Sequence, residues 1–301
     1  MSSTLTKIQQ MQGKSQRRSA LAEALKLDVK SELAQVFFGF TETDVGELPD
    51  WPESSRGVPN SILRSALFSA IKRGPRPYHY AVEMASVDGV RVVFTGPQLD
   101  QADLDVWEQC LHISRGCALG SSVEFSAHNF LKSIGRSTGK SQRDWLKGSF
   151  LRLMSSVIEL KDGDKSYSGQ LVHHHLRDEE TGLQSITINP KIVRLYGGSG
   201  WTRVEWQDRQ ALKKHPLAQW LHGFYSTHAR PYDYRVETIH KLCGSQAKNV
   251  TDFRKDVRKA LEVMGTTIGW KGELSPKGLV SMTKPPSNSQ QRHLQNKTQA
   301  K

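Results

Sequence analysis

VETIHKLCGSQAKNVTDFRKDVRKALEVM, residues 236–264, is the stretch whose reading decides the fold. It reads as a short helix over Val236–Cys243, a turn carrying Lys248 and Asn249, and a longer helix over Val250–Met264. Phe253, Val257, Ala260, Leu261 and Met264 fall on one arc of the longer helix, with Lys248, Lys255, Arg258 and Lys259 on the opposite arc. Spacings of three and four mark a helix with one buried and one wet side. Upstream, Pro216–His228 reads as a helix with proline in its first turn and Leu217, Trp220, Leu221 and Phe224 on its apolar face. Downstream, Thr266–Thr283 is strand-like. Helix, short helix, turn, longer basic helix and β-wing is the layout of a winged helix, which lays one helix in a DNA groove.

The same order occurs in the first half. Asp103–Arg115, Ser126–Gly135 and Ser141–Leu160 read as three helices. Leu104, Trp107 and Leu111 share a face of the first, and Leu146, Phe150, Leu153 and Val157 form a stripe on the third. Gln170–Leu176 and Ser185–Asn189, joined by Arg177–Gln184, read as the strands of a wing. The expected fold class is α+β: two tandem winged-helix (helix-turn-helix) domains with β-hairpin wings and flexible N- and C-terminal segments. The expected boundaries are 1–58 for an N-terminal segment, 59–197 for the first winged-helix domain, 198–283 for the second, and 284–301 for a disordered tail lacking apolar periodicity.

Between these landmarks, Ser15–Phe40 is helical in pattern, and Thr41–Glu53, acidic and proline-bearing, reads as a linker. Ser61–Ile71 reads as a short helix. Tyr78–Val87 and Val90–Thr95 flank Asp88-Gly89, a favoured two-residue hairpin turn. Gly197-Gly198-Ser199-Gly200 reads as the hinge between the two units.

The 301 residues carry a net charge of +12. That balance points to an anionic partner, most often nucleic acid; the plainer alternative is charge that only confers solubility. Cys110, Cys117 and Cys243 form no framework and no CxxC pair, so free thiols in a reducing cytoplasm are expected. No apolar run approaches membrane-spanning length and no signal peptide opens the sequence, so a cytoplasmic protein with no membrane partner is expected.

Between Ser126 and Leu160, Lys132, Arg136, Lys140, Arg143, Lys147 and Arg152 face only Asp144 and Glu159. Lys140, Arg143 and Lys147 belong to the end of the third helix that points into the major groove in helix-turn-helix proteins. Arg136, Ser137, Thr138 and Ser141 lie at the turn, where hydroxyls and backbone N–H groups hold phosphates. In the second copy Lys248 and Asn249 take the turn position, and Arg254, Lys255 and Arg258 the helix position. Asparagine pairs with adenine and arginine with guanine. The alternative is that these residues are only the solvated faces of amphipathic helices. No catalytic residue, metal ligand or cofactor is assigned. Gly135-Arg-Ser-Thr-Gly139-Lys140-Ser141 has three residues between its glycines and a helix before it, where a phosphate loop needs four and a strand. In a strand, His173 and His175 share a face while His174 points away, and no carboxylate or cysteine partner is evident.

Gln35, Phe38 and Phe40 have the spacing Gln-x-x-Phe-x-Phe, which resembles the six-residue bacterial sliding-clamp binding peptide, with Phe38 where leucine is usual. This stretch either docks into a partner's groove or packs on the body of the protein.

A wider resemblance emerges from Trp51-Pro52, Pro59-Asn60, Arg64-Ser65-Ala66-Leu67-Phe68, Phe94-Thr95-Gly96, Leu99 and Val106-Trp107. It continues, in order, through Tyr225-Ser226-Thr227-His228, Pro231-Tyr232, Glu237-Thr238 and Leu242-Cys243-Gly244-Ser245. These residues resemble the TrfA family of plasmid replication initiators. The resemblance implies two winged helices that bind directly repeated double-stranded DNA sites (iterons) at a plasmid origin. It implies opening of adjacent AT-rich DNA and recruitment of the host sliding clamp, replicative helicase and chromosomal initiator. It also implies exchange between inactive dimers and DNA-binding monomers. Two rivals remain at this point. A winged-helix transcriptional repressor would bind a palindromic operator as a dimer. A nicking replication enzyme would cut one strand through a tyrosine, using paired histidines separated by an apolar residue; here the middle residue is His174.

Overall fold

The structure is a computed structural model. It describes residues 47–295 apart from 73, 88, 163, 164, 179, 197–199, 288, 289 and 293, and apart from the side chains of 162, 165 and 166. The helical pattern over 15–40, Gln35, Phe38 and Phe40, the linker up to 46, Asp88, most of the glycine hinge and the end of the tail lie outside the described residues.

The fold is mixed α and β. In chain order come β1 (Ser55–Pro59), α1 (Asn60–Leu63), β2 (Phe68–Ser69), β3 (Tyr78–Met84), β4 (Arg91–Pro97), β5 (Leu99–Asp100) and α2 (Gln101–Ile113). Then follow β6 (Ser122–Ser126), α3 (Ala127–Ser133), α4 (Lys140–Ser155), β7 (Val157–Asp162), β8 (Lys165–Gln170), β9 (Val172–Arg177), β10 (Leu183–Ile188) and β11 (Trp201–Glu205). The chain continues with α5 (Trp206–Ala211), α6 (Pro216–Ser226), β12 (Tyr234–Arg235), α7 (Val236–Leu242), α8 (Val250–Ile268), β13 (Lys271–Leu274) and β14 (Leu279–Thr283).

One topology occurs twice. Helix α2 is followed by strand β6, helices α3 and α4, and strands β9 and β10; helix α6 by β12, α7, α8, β13 and β14. In both cases the last strand is the middle one: the sheets run β6-β10-β9 and β12-β14-β13, antiparallel throughout. The turns between the paired helices close in the same way. After α3, Gly135 has φ +65°, and the Gly135 and Arg136 N–H groups donate to the carbonyls of Lys132 and Leu131. After α7, Gly244 has φ +59°, and the Gly244 and Ser245 N–H groups donate to Lys241 and His240. Left-handed backbone at a helix end satisfies the last carbonyls and favours glycine, which has no Cβ to clash.

The two triplets keep separate apolar clusters within one packed unit. One gathers Phe94, Leu104, Trp107, Leu111, Phe130, Leu146, Phe150, Leu153 and Ile186. The other gathers Trp220, Leu221, Phe224, Phe253, Val257, Leu261, Met264 and Val280. Strand β11 pairs with β1, and Trp206 belongs to the first cluster; the second begins at Leu212. The described part of the expected acidic linker is likewise built into the body. Trp51 is buried, stacks on Tyr196 at 6.2 Å between centroids, and donates from Nε1 to His112 Nδ1 at 3.1 Å. Burying so large an aromatic side chain is worth about 2–3 kcal/mol, enough to override a composition typical of linkers. A Cβ on Gly57 would come within 2.4 Å of the Trp51 ring, so glycine there is a packing requirement.

Three other elements depart from expectation. The third helix ends at Ser155, and Val157 is exposed in β7. From Val157 on, the pattern alternates: Ile158 and Leu160 are buried while Glu159 and Lys161 are exposed, which is a strand period. Strand β7 joins β3, β4 and β8 in a four-stranded sheet. The helix expected over 61–71 shrinks to α1, because Phe68 and Ser69 pair with Leu99 and Asp100. The tail is anchored at its start: Lys284 Nζ lies 5.6 Å from the Trp270 ring, and Gln290 Nε2 donates to the Ser226 carbonyl at 2.7 Å.

Candidate nucleic-acid interface

Helix α4 is placed by its apolar stripe. Leu146, Phe150 and Leu153 are buried, with Phe150 5.7 Å from Phe130 and 4.3 Å from His175 between ring centroids. The opposite side stays wet: Lys140, Ser141, Arg143 and Lys147 are exposed, as is Ser137 in the turn before it. The N-cap is Gly139, whose lack of a side chain leaves the first turn of α4 without a side-chain cap. Helix N-termini of this kind favour phosphate.

The turn is held in shape by groups outside the expected set. The Arg136 guanidinium lies 3.5 Å from the Trp145 ring centroid and donates from Nη1 to Gln142 Oε1 at 3.1 Å. Arg143 folds back and donates from Nε to the Thr138 carbonyl at 3.1 Å. Lys213 Nζ donates to the Gly135 carbonyl. Trp145, Gln142 and Lys213 are therefore the residues that sequence reasoning missed. Their pairing depends on how the turn folds over α4, which no fixed spacing encodes.

Arg152 leaves the basic face. Its guanidinium donates to the wholly buried Asp103 carboxylate at 2.6 Å, and Ser149 Oγ donates to the same group at 2.6 Å. The cost of burying that carboxylate requires such partners, so Arg152 serves packing.

Helix α8 repeats the design with more compensation. Phe253, Val257, Leu261 and Met264 are buried, and Lys248, Lys255 and Arg258 are exposed. Asn249 is the N-cap: its Oδ1 accepts the Asp252 N–H at 2.8 Å while its Nδ2 donates to the Asp252 carboxylate at 2.9 Å. Lys255 pairs with Asp252 at 3.1 Å, and Arg254 lies 3.6 Å from Glu237. Exposed pairs of this kind are worth about 0–1 kcal/mol and exchange readily for other anions. Asn249 differs, because its side chain is already committed to the helix end. Helix α5 packs against α8, and Gln210 of α5 and Lys213 lie against Gly135 in the first turn.

The remaining motifs keep structural roles. The glycines of 135–141 lie between two helices. His175 Nε2 is hydrogen-bonded to Gln184 at 2.9 Å, and burial lowers the pKa of His173 and His175. Among the described residues no group of three histidines, cysteines or carboxylates is placed to hold a metal, and no helix is long and apolar enough to cross a membrane. Cys110 and Cys243 are buried and Cys117 half-buried, all as free thiols.

The model of the family described as TrfA protein matches residues 18–269. The chain belongs to the TrfA family. It is 26% identical over 255 residues to the plasmid replication initiator protein TrfA of Escherichia coli, covering 82% of this chain and 64% of that protein. The chain thus spans just under two thirds of that relative's length. It is 25% identical over 153 residues to RepFIB replication protein A of Escherichia coli, covering 48% of this chain and 47% of that protein. Among solved structures it overlaps domains 2 and 3 of RctB with a TM-score of 0.49 at 14% identity, over 75% of this chain and 97% of that one. It overlaps the Pi initiator protein in complex with iteron DNA with a TM-score of 0.46 at 11% identity, over 60% and 91%. Overlaps this loose carry no weight for fold or function.

Proposed function

We propose that this chain is a plasmid replication initiator that binds directly repeated duplex sites at an origin through two tandem winged-helix domains. Helices α4 and α8 are the recognition helices, and β9–β10 and β13–β14 the wings. The observation that carries the reading is the doubled topology: each copy closes its helix-turn-helix with the same glycine cap and turns lysines and arginines of its long helix to solvent. Family membership supports the origin as the target.

Lys140, Lys147, Lys248 and Arg258 supply phosphate contacts and with them most of the affinity. Ser137, Thr138 and Ser141 position the turn on the backbone. Arg136, Arg143, Arg254 and Lys255 exchange their present partners for DNA. Binding needs no ATP or metal, and the protein performs no covalent chemistry. Bending by bound arrays strains flexible A·T-rich steps and opens the origin. The host sliding clamp (through Gln35, Phe38 and Phe40), helicase and chromosomal initiator are the protein partners, in the cytoplasm, and dimer–monomer exchange limits the active form.

Footprinting on the DNA beside the coding gene tests the reading. Repeated protected sites in one orientation are expected. A single palindromic site would make the protein a repressor, and a strand break with a covalent tyrosine link would make it a nickase.

A further inference from the structure

The sheet β6-β10-β9 has two unlike faces. One is buried against α3 and α4, with Phe125 4.9 Å from Phe130 and 5.9 Å from Phe150 between centroids. The other points away from those helices, by the two-residue alternation of strands. It carries Glu124, His174, Leu176, Leu183 and Ser185, with Asp178 just past the end of β9. Leu176 is opposite Ser185 and so beside Leu183; the two leucines are 65% and 44% exposed. Among the described residues of this face the charged groups are Glu124 and Asp178, on a chain of net charge +12. The N–H groups of Glu180 and Thr181 donate to Asp178 Oδ1 and hold its carboxyl below the usual carboxylate range. A face that is acidic and apolar repels phosphate and invites a protein.

The corresponding face of β12-β14-β13 carries a net positive charge. Lys271 and Arg235 are exposed there with Glu273, beside the half-buried Leu279 and Ser281. We propose that the outward face of the first sheet docks on the outward face of the second sheet of another copy of this chain, bound at the next repeat. Glu124 and Asp178 meet Arg235 and Lys271, and the leucines close the centre. Because the two surfaces differ, the contact is head-to-tail. It propagates in one direction without closing, as sites repeated in one orientation require, whereas a palindrome calls for a self-complementary face. The inference rests on the initiator reading above.

Binding of the full chain to duplexes holding one or two copies of a footprinted repeat separates the two. The wild type should bind the two-repeat duplex with about tenfold cooperative enhancement, the size of one modest protein contact. Glu124→Lys and Arg235→Glu should each abolish the enhancement and leave single-repeat affinity unchanged. The two reversals combined should restore it, and Leu176→Ser with Leu183→Ser should abolish it independently of charge. Independent binding at two repeats by the wild type, or no restoration in the doubly reversed variant, overturns the proposal, as does any change in single-repeat affinity, which would place the face on DNA. Failure of the wild type to bind one repeat would instead overturn the initiator reading, and this inference with it.

Discussion

Arg209 and Asp105 meet at 2.7 Å in the interior, with the guanidinium wholly buried. Glu108 lies 3.0 Å from the same guanidinium, and Arg209 also donates to the Gln101 carbonyl at 3.0 Å. Asp105, Glu108 and Gln101 all sit on α2, and Arg209 on α5, so this arginine ties the last helix before the second apolar cluster to the central helix of the first. Gln219 of α6 adds a contact from the second cluster, its Nε2 lying 3.4 Å from Asp105 Oδ2. Arg209→Met should cost about 3–5 kcal/mol, because it leaves the buried Asp105 carboxylate without its cation. Chemical denaturation checks this. Adding Asp105→Leu and Glu108→Leu should recover most of the loss, since the penalty belongs to the orphaned charge. A cost under 1 kcal/mol for Arg209→Met alone would mean that water reaches this site.

The same region gives two opposed pH dependences. Burial pushes the Glu108 carboxyl from 4.5 up to about 7, against the pull of Arg209. Burial pushes the His222 imidazole from 6.5 down to about 3. Between pH 4.5 and 7 the folded protein keeps a proton on Glu108 that the unfolded chain has released, so stability falls as pH rises. Between pH 3 and 6.5 the unfolded chain binds a proton on His222 that the folded protein excludes, so stability rises with pH. Each slope is about 1.4 kcal/mol per pH unit, and over their shared window they offset one another. Glu108→Gln should therefore become more stable from pH 5 to 6.5, and His222→Phe less stable. Urea titrations at the two pH values decide it; identical profiles for both variants would show that neither group carries a shifted proton.

Lys140 and Lys147 should behave unlike Arg152. Replacing either lysine by alanine should lower the slope of log affinity against log salt by about one unit and leave stability nearly unchanged. Arg152→Ala should leave the salt slope alone and cost about 1–3 kcal/mol of stability, because the buried Asp103 loses one hydrogen-bonded cation and keeps only Arg76. An unchanged salt slope for both lysine variants would move the DNA off α4.

Asn249→Ala tests a cap against a base contact. Loss of the cap should cost about 1 kcal/mol of folding stability. Affinity should fall only as far as the helix end frays, equally on all sequences. A loss of discrimination at one A·T position, with stability intact, would show that Asn249 reads a base.

Much of this was legible in the chain itself. The stripe of Phe253, Val257, Ala260, Leu261 and Met264 and that of Leu146, Phe150 and Leu153 fixed both long helices, because burial of an apolar face imposes a period that sequence displays directly. The turns after both short helices are closed by glycine, at Gly135 and Gly244, because left-handed backbone excludes most other residues. What tertiary structure decided is where chain segments distant in sequence meet. Trp51, in a stretch with the composition of a linker, is core because Tyr196 and His112 are there to receive it. Val157 leaves the helix because Thr95 and Gln170 offer it a strand on either side. Arg152 and Lys147 look alike in a basic helix, yet one faces Asp103 and the other water. Periodicity is a local property written residue by residue, whereas the partner of a buried charge is set by a closure of the chain that only the folded state contains.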